Sequence, residues 1–477
     1  MNELQGGAGS NLGRRQILLA VFIAAVVFRI GLLFSGLVDV VFMTADSGQY
    51  DELARSLLAH GTFAESAGLS MYRTPGYPAL VALVYALMGT SQIPLTAVQI
   101  VLDSLTCVIV VDMALRHGVR GRALALTAAL AVTCLYTAVY SYQLMTETTY
   151  CFALTLAIWV WDRPDKREEP SGTTPLRALI TGLVIGAAVL VRPAMMVPGM
   201  LFGLGICARI LFKLGWRNLR PRAALAPLAL GLGVAVCIIP WIVRNHRTFP
   251  EEFARANTPY LAPLGFKVSS SSAFHFYQPD FKKFLASYEQ PYVQIKFTDP
   301  PVMARYVYPG EEEEVRAAYA RLGREVEQAN RYTSDEMLDF RAITAKRYQA
   351  APRLHLTAPA SMIAKVWITP RIAVLWRGRS GHNSSRALIV GYTIYSSVFL
   401  LGILGLFWGG LREHASSAAI YLAAMLIGHT FIYALWLPFP QSRYAVAVYP
   451  LLCLGIGTFA QRWLSRRHMS MPVSAAA

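Results

Sequence analysis

Charged residues are scarce in this chain. They make up 15% of its 477 residues, whereas 55% are hydrophobic and the mean hydropathy is +0.41. A soluble protein of this length needs a larger charged surface, so the composition excludes a soluble globular fold. Apolar runs repeatedly approach the ~20 residues that are needed to cross the hydrocarbon core of a bilayer. The sequence therefore predicts an all-α polytopic membrane protein.

Cysteine and the common nucleotide and metal motifs are scarce as well. All six cysteines fall inside apolar segments and the longest hydrophilic region has none, so no disulfide is expected even outside the cytoplasm. The sequence has no credible phosphate-binding loop, nucleophile elbow, dinucleotide-binding glycine motif or metal-ligand spacing. No cofactor is therefore required by the sequence.

The net charge of +16 is strongly basic, which taken alone suggests nucleic acid as a partner. Arginine and lysine, however, lie mostly in short connectors between the apolar runs, as the positive-inside rule requires. The charge therefore indicates orientation in a membrane. We expect the lipid bilayer, and not nucleic acid, to be the partner of these residues.

The apolar runs predict about ten crossings. Arg14 and Arg15 precede a first run that is too long for a signal-peptide core and has no A-x-A cleavage site. It is predicted to be a retained helix with a cytoplasmic N-terminus. The predicted spans are 16–38, 93–115, 123–141, 147–161, 178–193, 195–212, 223–243, 387–409, 417–437 and 444–461.

The apolar segment 75–89 has only about 15 residues and opens with the sequence Pro-Gly-Tyr-Pro. Such lengths are more typical of an interfacial or re-entrant helix than of a span. If the segment crossed, the basic connectors at 116–122, 163–177 and 213–222 would all lie outside. If it lies in the outer interface, they all lie inside, so the charge distribution favours an interfacial helix and places both chain ends in the cytoplasm.

This topology divides the chain into three parts. They are a transmembrane module at 1–243 with a first outer loop at 39–92, an extracytoplasmic cap at 244–386, and C-terminal spans with a short cytoplasmic tail at 387–477. Within the cap, Pro309-Gly310 before an acidic run and the capping-box spacing at 333–336 both predict helix starts. Two or three amphipathic helices are therefore expected there.

Carboxylates at the outer membrane boundary are costly to keep ionised unless they are paired, hydrated or used in chemistry. Asp46 follows the first span and opens the stretch 47–60, whose apolar period predicts an interfacial helix that carries Tyr50. Glu147 lies where the third span gives way to the fourth. Both carboxylates are candidate catalytic groups, although a helix N-cap explains Asp46 equally well and a helix-terminus charge could explain Glu147.

Four arginines are candidate ligands of an anion at the outer interface: Arg73, Arg192, Arg244 and Arg443. One arginine at the outer end of a span would mean little. Several suggest a bound anionic group, because a guanidinium can bind phosphate through two hydrogen bonds. Contacts with lipid headgroups are the competing explanation.

Charged and small residues within the spans are assigned to helix packing. Arg29 and Asp103 are predicted to form an ion pair that holds the first two spans together. His429 and four glycines of the fifth and seventh spans are assigned to close packing rather than to a ligand site. These glycines are Gly182, Gly186, Gly231 and Gly233.

Six short motifs follow one another in a characteristic order. They are Asp-x-x-x-Tyr-x-x-x-Ala at 46–54, Tyr-Arg-x-Pro-Gly-Tyr-Pro at 72–78, Thr-Glu at 146–147, Arg-Pro at 192–193, Pro-Trp-x-x-Arg-Asn at 240–245 and Arg-Tyr-x-x-x-x-Tyr-Pro at 443–450. Their order and spacing resemble those of the GT-C membrane glycosyltransferases. The resemblance covers residues 15–460 and is strongest to bacterial relatives of the dolichyl-phosphate-mannose protein mannosyltransferases and the lipid A aminoarabinose transferases.

The resemblance implies an integral inner-membrane enzyme that moves a sugar from a polyprenyl-phosphate-linked donor to an acceptor hydroxyl on the extracytoplasmic face. Asp46 would be the general base of an inverting reaction, and Glu147 the second acidic residue of the outer cavity. The four arginines would bind the donor phosphate. The substrate pocket would include Tyr50, Tyr72, Tyr77, Tyr142 and Asn245. Some members of the wider superfamily use a divalent metal between acids, but no cluster of histidine and acidic residues demands one here.

The main alternative is a transporter or flippase of lipid-linked sugars, since polytopic helical bundles commonly transport. Transporters usually place charged or interrupted-helix sites near the membrane midplane, in paired halves. This chain gathers its polar groups on one face and shows no internal symmetry. A non-catalytic scaffold is a third interpretation. The sugar is left as a hexose or a pentose, and the acceptor as protein, glycan or lipid.

Overall fold

A computed structural model describes residues 13–35, 45–65, 68–70, 73–162, 175–214, 225–250, 308–318, 336–353, 400–405, 417–432 and 442–469, with isolated positions between 320 and 398. This part of the chain is helical, as predicted, and its only sheet is a two-stranded hairpin. The strands β1 (Ala64–Glu65) and β2 (Gly68–Leu69) pair antiparallel, with Ala64 opposite Leu69.

The described helices pack around one apolar core, to which all of them except α11 (Glu336–Ala350) contribute buried residues. In chain order they are α1 (Arg14–Phe34), α2 (Ala45–His60), α3 (Gly76–Met88), α4 (Gln92–Arg116), α5 (Gly121–Val132), α6 (Leu135–Tyr140), α7 (Glu147–Trp161), α8 (Pro175–Val191), α9 (Met196–Leu214), α10 (Leu225–Thr248), α11 (Glu336–Ala350), α12 (Ser417–Thr430) and α13 (Tyr449–Met469). Short 3-10 helices precede α9 at Pro193–Met195 and α13 at Ser442–Val448.

Five described stretches are long and apolar enough to cross a bilayer. They are Arg14–Phe34, Gln92–Arg116, Gly121–Tyr140, Leu225–Thr248 and Ala445–Ser465, and they coincide with five of the predicted spans. Four more predicted spans are occupied by helices α7, α8, α9 and α12. The predicted span 387–409 lies largely outside the described residues. The protein is therefore an integral multi-pass membrane protein, and the total of ten crossings stays a prediction.

Helix α1 has the inverted polarity of a helix that faces lipid. Its inner face buries residues at intervals of three or four and includes Arg29, which is fully buried. Its outer face exposes Leu19, Ile23 and Val27. A buried charge beneath an exposed apolar face is stable where the surrounding solvent is hydrocarbon, because the charge then finds its partners inside the protein.

The predicted ion pair between α1 and α4 is confirmed. Arg29 Nε donates to Asp103 Oδ2 at 2.6 Å, and both side chains are almost inaccessible. The guanidinium also donates to the carbonyl oxygens of Ala25 and Val132 at 3.1 and 3.2 Å. The Tyr142 hydroxyl donates to the carbonyl oxygen of Arg29 at 2.6 Å. These additional bonds satisfy polar groups that are cut off from water, as a buried ion pair requires.

Close helix approach explains three of the four predicted glycines. Gly182 and Gly233 bring α8 and α10 together, because a Cβ on either would overlap backbone atoms of the other helix. Gly186 belongs to the same interface. Gly231 has nothing within 4 Å of the place where its Cβ would lie, so the packing assignment is wrong for that residue.

The described part of the predicted cap includes two helices beyond the end of α10. One occupies 311–318, directly after Gly310, whose φ of +81° suits glycine, and the other is α11. Glu311 and Arg347 form a buried ion pair of 2.8 Å between them. The helix start predicted after Gly310 is therefore observed. The capping-box residues before Glu336 lie outside the described residues, and the arrangement of 244–386 as an external cap stays a prediction.

Candidate active site

Helix α2 places Asp46 inside its first turn, one residue past the helix start at Ala45, and buries Tyr50 one turn further on. Arg73, which precedes α3, reaches back to this turn. Its Nη2 donates to Asp46 Oδ1 at 2.8 Å and to Gln49 Oε1 at 2.6 Å. The guanidinium also lies 5.0 Å from the centre of the Tyr50 ring. The structure therefore pairs the first predicted acid with the first predicted cation.

The second predicted acid is also paired with a predicted cation. Glu147 opens α7, and Arg192 directly follows α8. Arg192 Nη1 lies 3.2 Å from Glu147 Oε1, and the Glu147 side chain is only 2% exposed. Tyr150, one turn along α7, places its ring 5.8 Å from the Arg192 guanidinium. A carboxylate this deeply enclosed is stabilised by such a partner.

Tyr50 packs between the first ion pair and helix α3. Its hydroxyl lies 3.4 Å from Arg73 Nη1, and its ring packs edge-on against Tyr77 at 5.1 Å. Burial raises the pKa of Tyr50, and smaller electrostatic effects on that pKa come from both members of each ion pair. The phenol therefore stays protonated at neutral pH.

Gly76 brings the two cations close together. A Cβ at this position would lie 2.6–2.8 Å from backbone atoms of Leu190 and Val191, directly before Arg192. Because neither backbone can yield cheaply, only glycine permits this approach of α3 to the end of α8. The Pro-Gly-Tyr-Pro sequence therefore fixes how near Arg73 comes to Arg192, a role that the sequence analysis did not assign to it.

Tyr77 and Gln99 fix the turn that carries the second acid. The buried Tyr77 hydroxyl donates to Gln99 Oε1 at 2.9 Å, and Gln99 Nε2 donates to the carbonyl oxygens of Ser141 and Gln143 at 3.2 and 2.8 Å. These carbonyls belong to the segment directly before Glu147. Sequence reasoning missed Gln99, whose only signal was a lone amide inside an apolar span.

Arg244 and Asn245 lie against the hairpin. Arg244 Nη1 donates to the carbonyl oxygen of Ser70 at 2.7 Å, and its Nη2 donates to that of Phe63 at 3.3 Å. Asn245 is buried and accepts a bond of 2.9 Å from Arg244. Arg244 therefore anchors the β1–β2 hairpin in this structure, and its predicted contact with a donor phosphate stays a prediction.

Of three other predicted residues, only Tyr142 has a side chain that the structure describes. The Tyr142 hydroxyl is engaged by Arg29 inside the bundle, as described above. Tyr72 lies outside the described residues, and so does the side chain of Arg443, whose backbone belongs to the 3-10 helix before α13. The predicted roles of these three residues stay predictions.

The described residues do not fit a divalent metal. Within the described ranges, no three side chains of histidine, cysteine, aspartate or glutamate lie close enough to share an ion. Asp46 and Glu147 have arginine partners instead, which is the opposite of the charge arrangement around a bound cation. No catalytic step is therefore assigned to a metal.

The sequence comparisons agree with the motif order. The family model of the dolichyl-phosphate-mannose-protein mannosyltransferases matches residues 72–243. The matched segment contains Arg73, Glu147 and Arg192. The resemblance to the GT-C membrane glycosyltransferases is therefore confirmed. No curated protein sequence matches the chain.

The fold is similar to that of the oligosaccharyltransferase of Archaeoglobus fulgidus. Its apo form is 12% identical with a TM-score of 0.51, and the match covers 96% of this chain and 51% of that one. The form tethered to an acceptor peptide with an NVT sequon gives 12% identity, a TM-score of 0.50, and coverage of 95% and 50%. The chain thus spans about half the length of these structures, and at this identity the likeness concerns the fold alone. ArnT from Cupriavidus metallidurans bound to undecaprenyl phosphate is 14% identical, with coverage of 96% and 80% and a TM-score of 0.38.

Proposed function

We propose that this protein is a GT-C glycosyltransferase that transfers a sugar from a polyprenyl-phosphate-linked donor to an acceptor hydroxyl on the extracytoplasmic side of the membrane. The observation that carries the proposal is the approach of α3 to the end of α8 at Gly76, which brings the Asp46–Arg73 pair toward the Glu147–Arg192 pair. A sugar on a lipid phosphate already has an anionic leaving group, so its transfer requires a base and cations rather than a general acid. Both are present in this site.

Asp46 is the base in this proposal. The acceptor oxygen attacks the anomeric carbon while its proton passes to the Asp46 carboxylate. The bond from the anomeric carbon to the phosphate oxygen breaks, and its electron pair leaves with the polyprenyl phosphate. Attack from the face opposite the phosphate inverts the configuration. The Asp46 side chain is 29% exposed, which gives an acceptor access to it.

Arg73 and Arg192 are the proposed ligands of the leaving phosphate. Each now holds a carboxylate, and a phosphate oxygen competes for the same N–H groups. Transfer of Arg73 from Asp46 to the phosphate would release the carboxylate as a base, so donor binding would activate the site. Glu147 is too enclosed to reach an acceptor, and its proposed role is to orient Arg192.

The length of α3 supports an active site at the membrane surface. Its 13 residues span roughly 20 Å at 1.5 Å per residue, less than the ~30 Å of a hydrocarbon core. As an interfacial helix, α3 would leave the basic connectors in the cytoplasm and Asp46, Arg73 and Glu147 on the opposite side. The inner membrane of a bacterium is the proposed location.

The test replaces Asp46 by Asn and compares it with Asp51→Asn. Asp51 lies on the same helix with similar exposure, but its carboxylate is held by Arg55 and Tyr85 at 2.8 and 2.6 Å. Loss of a general base should lower transfer by about 10²–10⁴-fold. Asp51→Asn should stay within about threefold of the unchanged protein, since the amide oxygen can still accept from Tyr85 and only the ion pair with the half-exposed Arg55 is lost.

The assay uses purified protein in detergent with a panel of hexosyl and pentosyl polyprenyl phosphates and crude envelope acceptors. Unchanged transfer by Asp46→Asn would remove Asp46 as the base, and a product that retains the anomeric configuration would contradict inversion. Donor movement across vesicle membranes without a transfer product would establish a flippase instead.

A further inference from the structure

We infer that His429 is a positioning residue that orients the Glu147–Arg192 pair through Tyr150. The inference rests on the proposed function and deepens it, because it connects helix α12, far along the chain, to a cation assigned to the donor phosphate. The sequence pattern had assigned His429 to helix packing alone.

The contacts form a continuous chain. His429 Nε2 lies 3.1 Å from the Tyr150 hydroxyl, and His429 Nδ1 lies 3.0 Å from the carbonyl oxygen of Met425. Both rings are buried, with 1% exposure each. The Tyr150 ring in turn faces the Arg192 guanidinium at 5.8 Å. Arg192 then reaches Glu147.

The direction of each hydrogen bond follows from the partners. A carbonyl oxygen only accepts, so the Nδ1 atom that faces Met425 carries the ring proton. Nε2 of the neutral ring is then an acceptor, and the Tyr150 hydroxyl donates to it. Met195 Sδ also lies near that hydroxyl, at 3.4 Å, but a thioether accepts weakly. His429 is therefore the stronger of these two acceptors for the tyrosine hydroxyl.

Fixing Tyr150 fixes both members of the ion pair. Tyr150 lies one turn after Glu147 on α7, and its ring forms the surface on which the guanidinium rests. Since α12 reaches this ring from a distant part of the sequence, its helix position sets the angle of Arg192 toward the site. A loosened ring would leave Arg192 able to pair with Glu147 but poorly aligned with a phosphate.

The two amide substitutions of His429 separate positioning from packing. In His429→Gln, the side-chain oxygen can take the place of Nε2 and accept from Tyr150. In His429→Asn, the shorter amide can donate to Met425 but cannot reach Tyr150. The two variants have similar polarity and both remove the ring, so a role in packing alone predicts equal losses.

We expect His429→Asn to lower kcat/KM for the polyprenyl-phosphate-linked donor by about 10-fold, the size of one lost hydrogen bond. His429→Gln should retain activity within about threefold of the unchanged protein. Tyr150→Phe should match His429→Asn, and the Tyr150→Phe/His429→Asn double variant should lose no more than either single variant. Binding of the sugar-free polyprenyl phosphate is measured in parallel and should weaken in the same order.

Equal activity of His429→Asn and His429→Gln would overturn the inference, and so would additive losses in the double variant. This holds even if both His429 variants have a lower melting temperature. Absence of transfer in the unchanged protein would be a failure of the proposed function instead. In that case the binding series with polyprenyl phosphate still decides whether His429 orients Arg192.

Discussion

Two arginine–carboxylate pairs of almost equal length differ in everything around them. Arg29 and Asp103 are 2.6 Å apart with exposures of 0% and 2%, whereas Arg73 and Asp46 are 2.8 Å apart with exposures of 21% and 29%. In the buried pair, the Arg29 guanidinium also donates to backbone carbonyls of the bundle. The open pair shares its cation with Gln49, on the same helix turn. The difference indicates that one pair holds helices together and the other can change partners.

The physical cost of breaking the two pairs differs accordingly. A charge left alone in a buried site cannot recruit water, so losing its partner is strongly destabilising. An accessible charge that loses its partner is solvated, and the net loss is small. The presence of an ion pair therefore says little about its role. Whether water or a substrate can reach the pair says much more.

The largest expected effect on stability is that of Arg29→Met. This change leaves Asp103 ionisable and alone inside the bundle, and it should lower the free energy of unfolding by about 3–5 kcal/mol. The measurement is the thermal unfolding midpoint in detergent, together with the yield of monodisperse protein. An Arg29→Met/Asp103→Leu double variant should recover much of the loss. Normal stability of the single variant would remove the distinction between the two pairs.

The opposite outcome is expected for Arg73→Met. Its unfolding free energy should change by less than about 1 kcal/mol. Sugar transfer should fall by about 10²-fold or more, because Arg73 is the proposed ligand of the leaving phosphate, whose charge grows in the transition state. Arg55→Met is the matched control, since Arg55 forms a comparable bond of 2.8 Å to Asp51 on the same helix at 50% exposure. A loss of stability equal to that of Arg29→Met would place Arg73 among the structural cations.

Gly76→Ala is expected to lower both stability and sugar transfer, each by a smaller amount. The new Cβ would meet the backbone of Leu190 and Val191, and such overpacking costs about 1–3 kcal/mol. Because these residues precede Arg192, transfer should fall as well, through displacement of the cation. Gly231→Ala adds the same methyl group where nothing lies within 4 Å. Equal behaviour of the two alanine variants in unfolding and transfer assays would show that α3 does not set the spacing.

Much of the fold was predictable because the hydrocarbon of a bilayer restricts where charged and apolar side chains can lie. An arginine and an aspartate inside apolar runs must find each other, so the pairing of Arg29 with Asp103 followed from the sequence. The order of motifs selected Asp46, Arg73, Glu147 and Arg192 as site residues. The sequence did not predict which acid pairs with which arginine, because the pairing depends on the approach of α3 to α8.

Other features lacked a local signal. Gln99 lies in an apolar helix, and its bonds to carbonyls before Glu147 arise only after α4 and the turn before α7 are packed. His429 was assigned to packing, because a single histidine in a span carries no information about its partner. Gly231 was grouped with packed glycines by composition, although it faces open space.

The smallest expected effect on stability concerns an ion pair on the predicted cytoplasmic side. It adds a third environment to the comparison of the two arginine–carboxylate pairs. His117 Nε2 lies 2.7 Å from Asp162 Oδ2 in connectors outside the spans, with side-chain exposures of 27% and 9%. The hydrogen bond to Asp162 raises the pKa of His117. A folded-state pKa above the unfolded value of about 6.5 means that protonation stabilises the folded protein. This stabilisation is complete below the unfolded pKa and is lost as pH rises through the folded pKa.

His117→Gln should therefore lower the unfolding midpoint at pH 6 by no more than the equivalent of about 1 kcal/mol, and should have little effect at pH 9. Thermal unfolding across this pH range measures the difference, and Asp162→Asn should remove its pH dependence. The pair should thus resemble Arg73–Asp46 in its small energy, not Arg29–Asp103, because the His117 side chain is partly exposed and lies outside the bundle interior. A difference that stays constant with pH would mean that the imidazole packs as a neutral ring and that its charge contributes nothing.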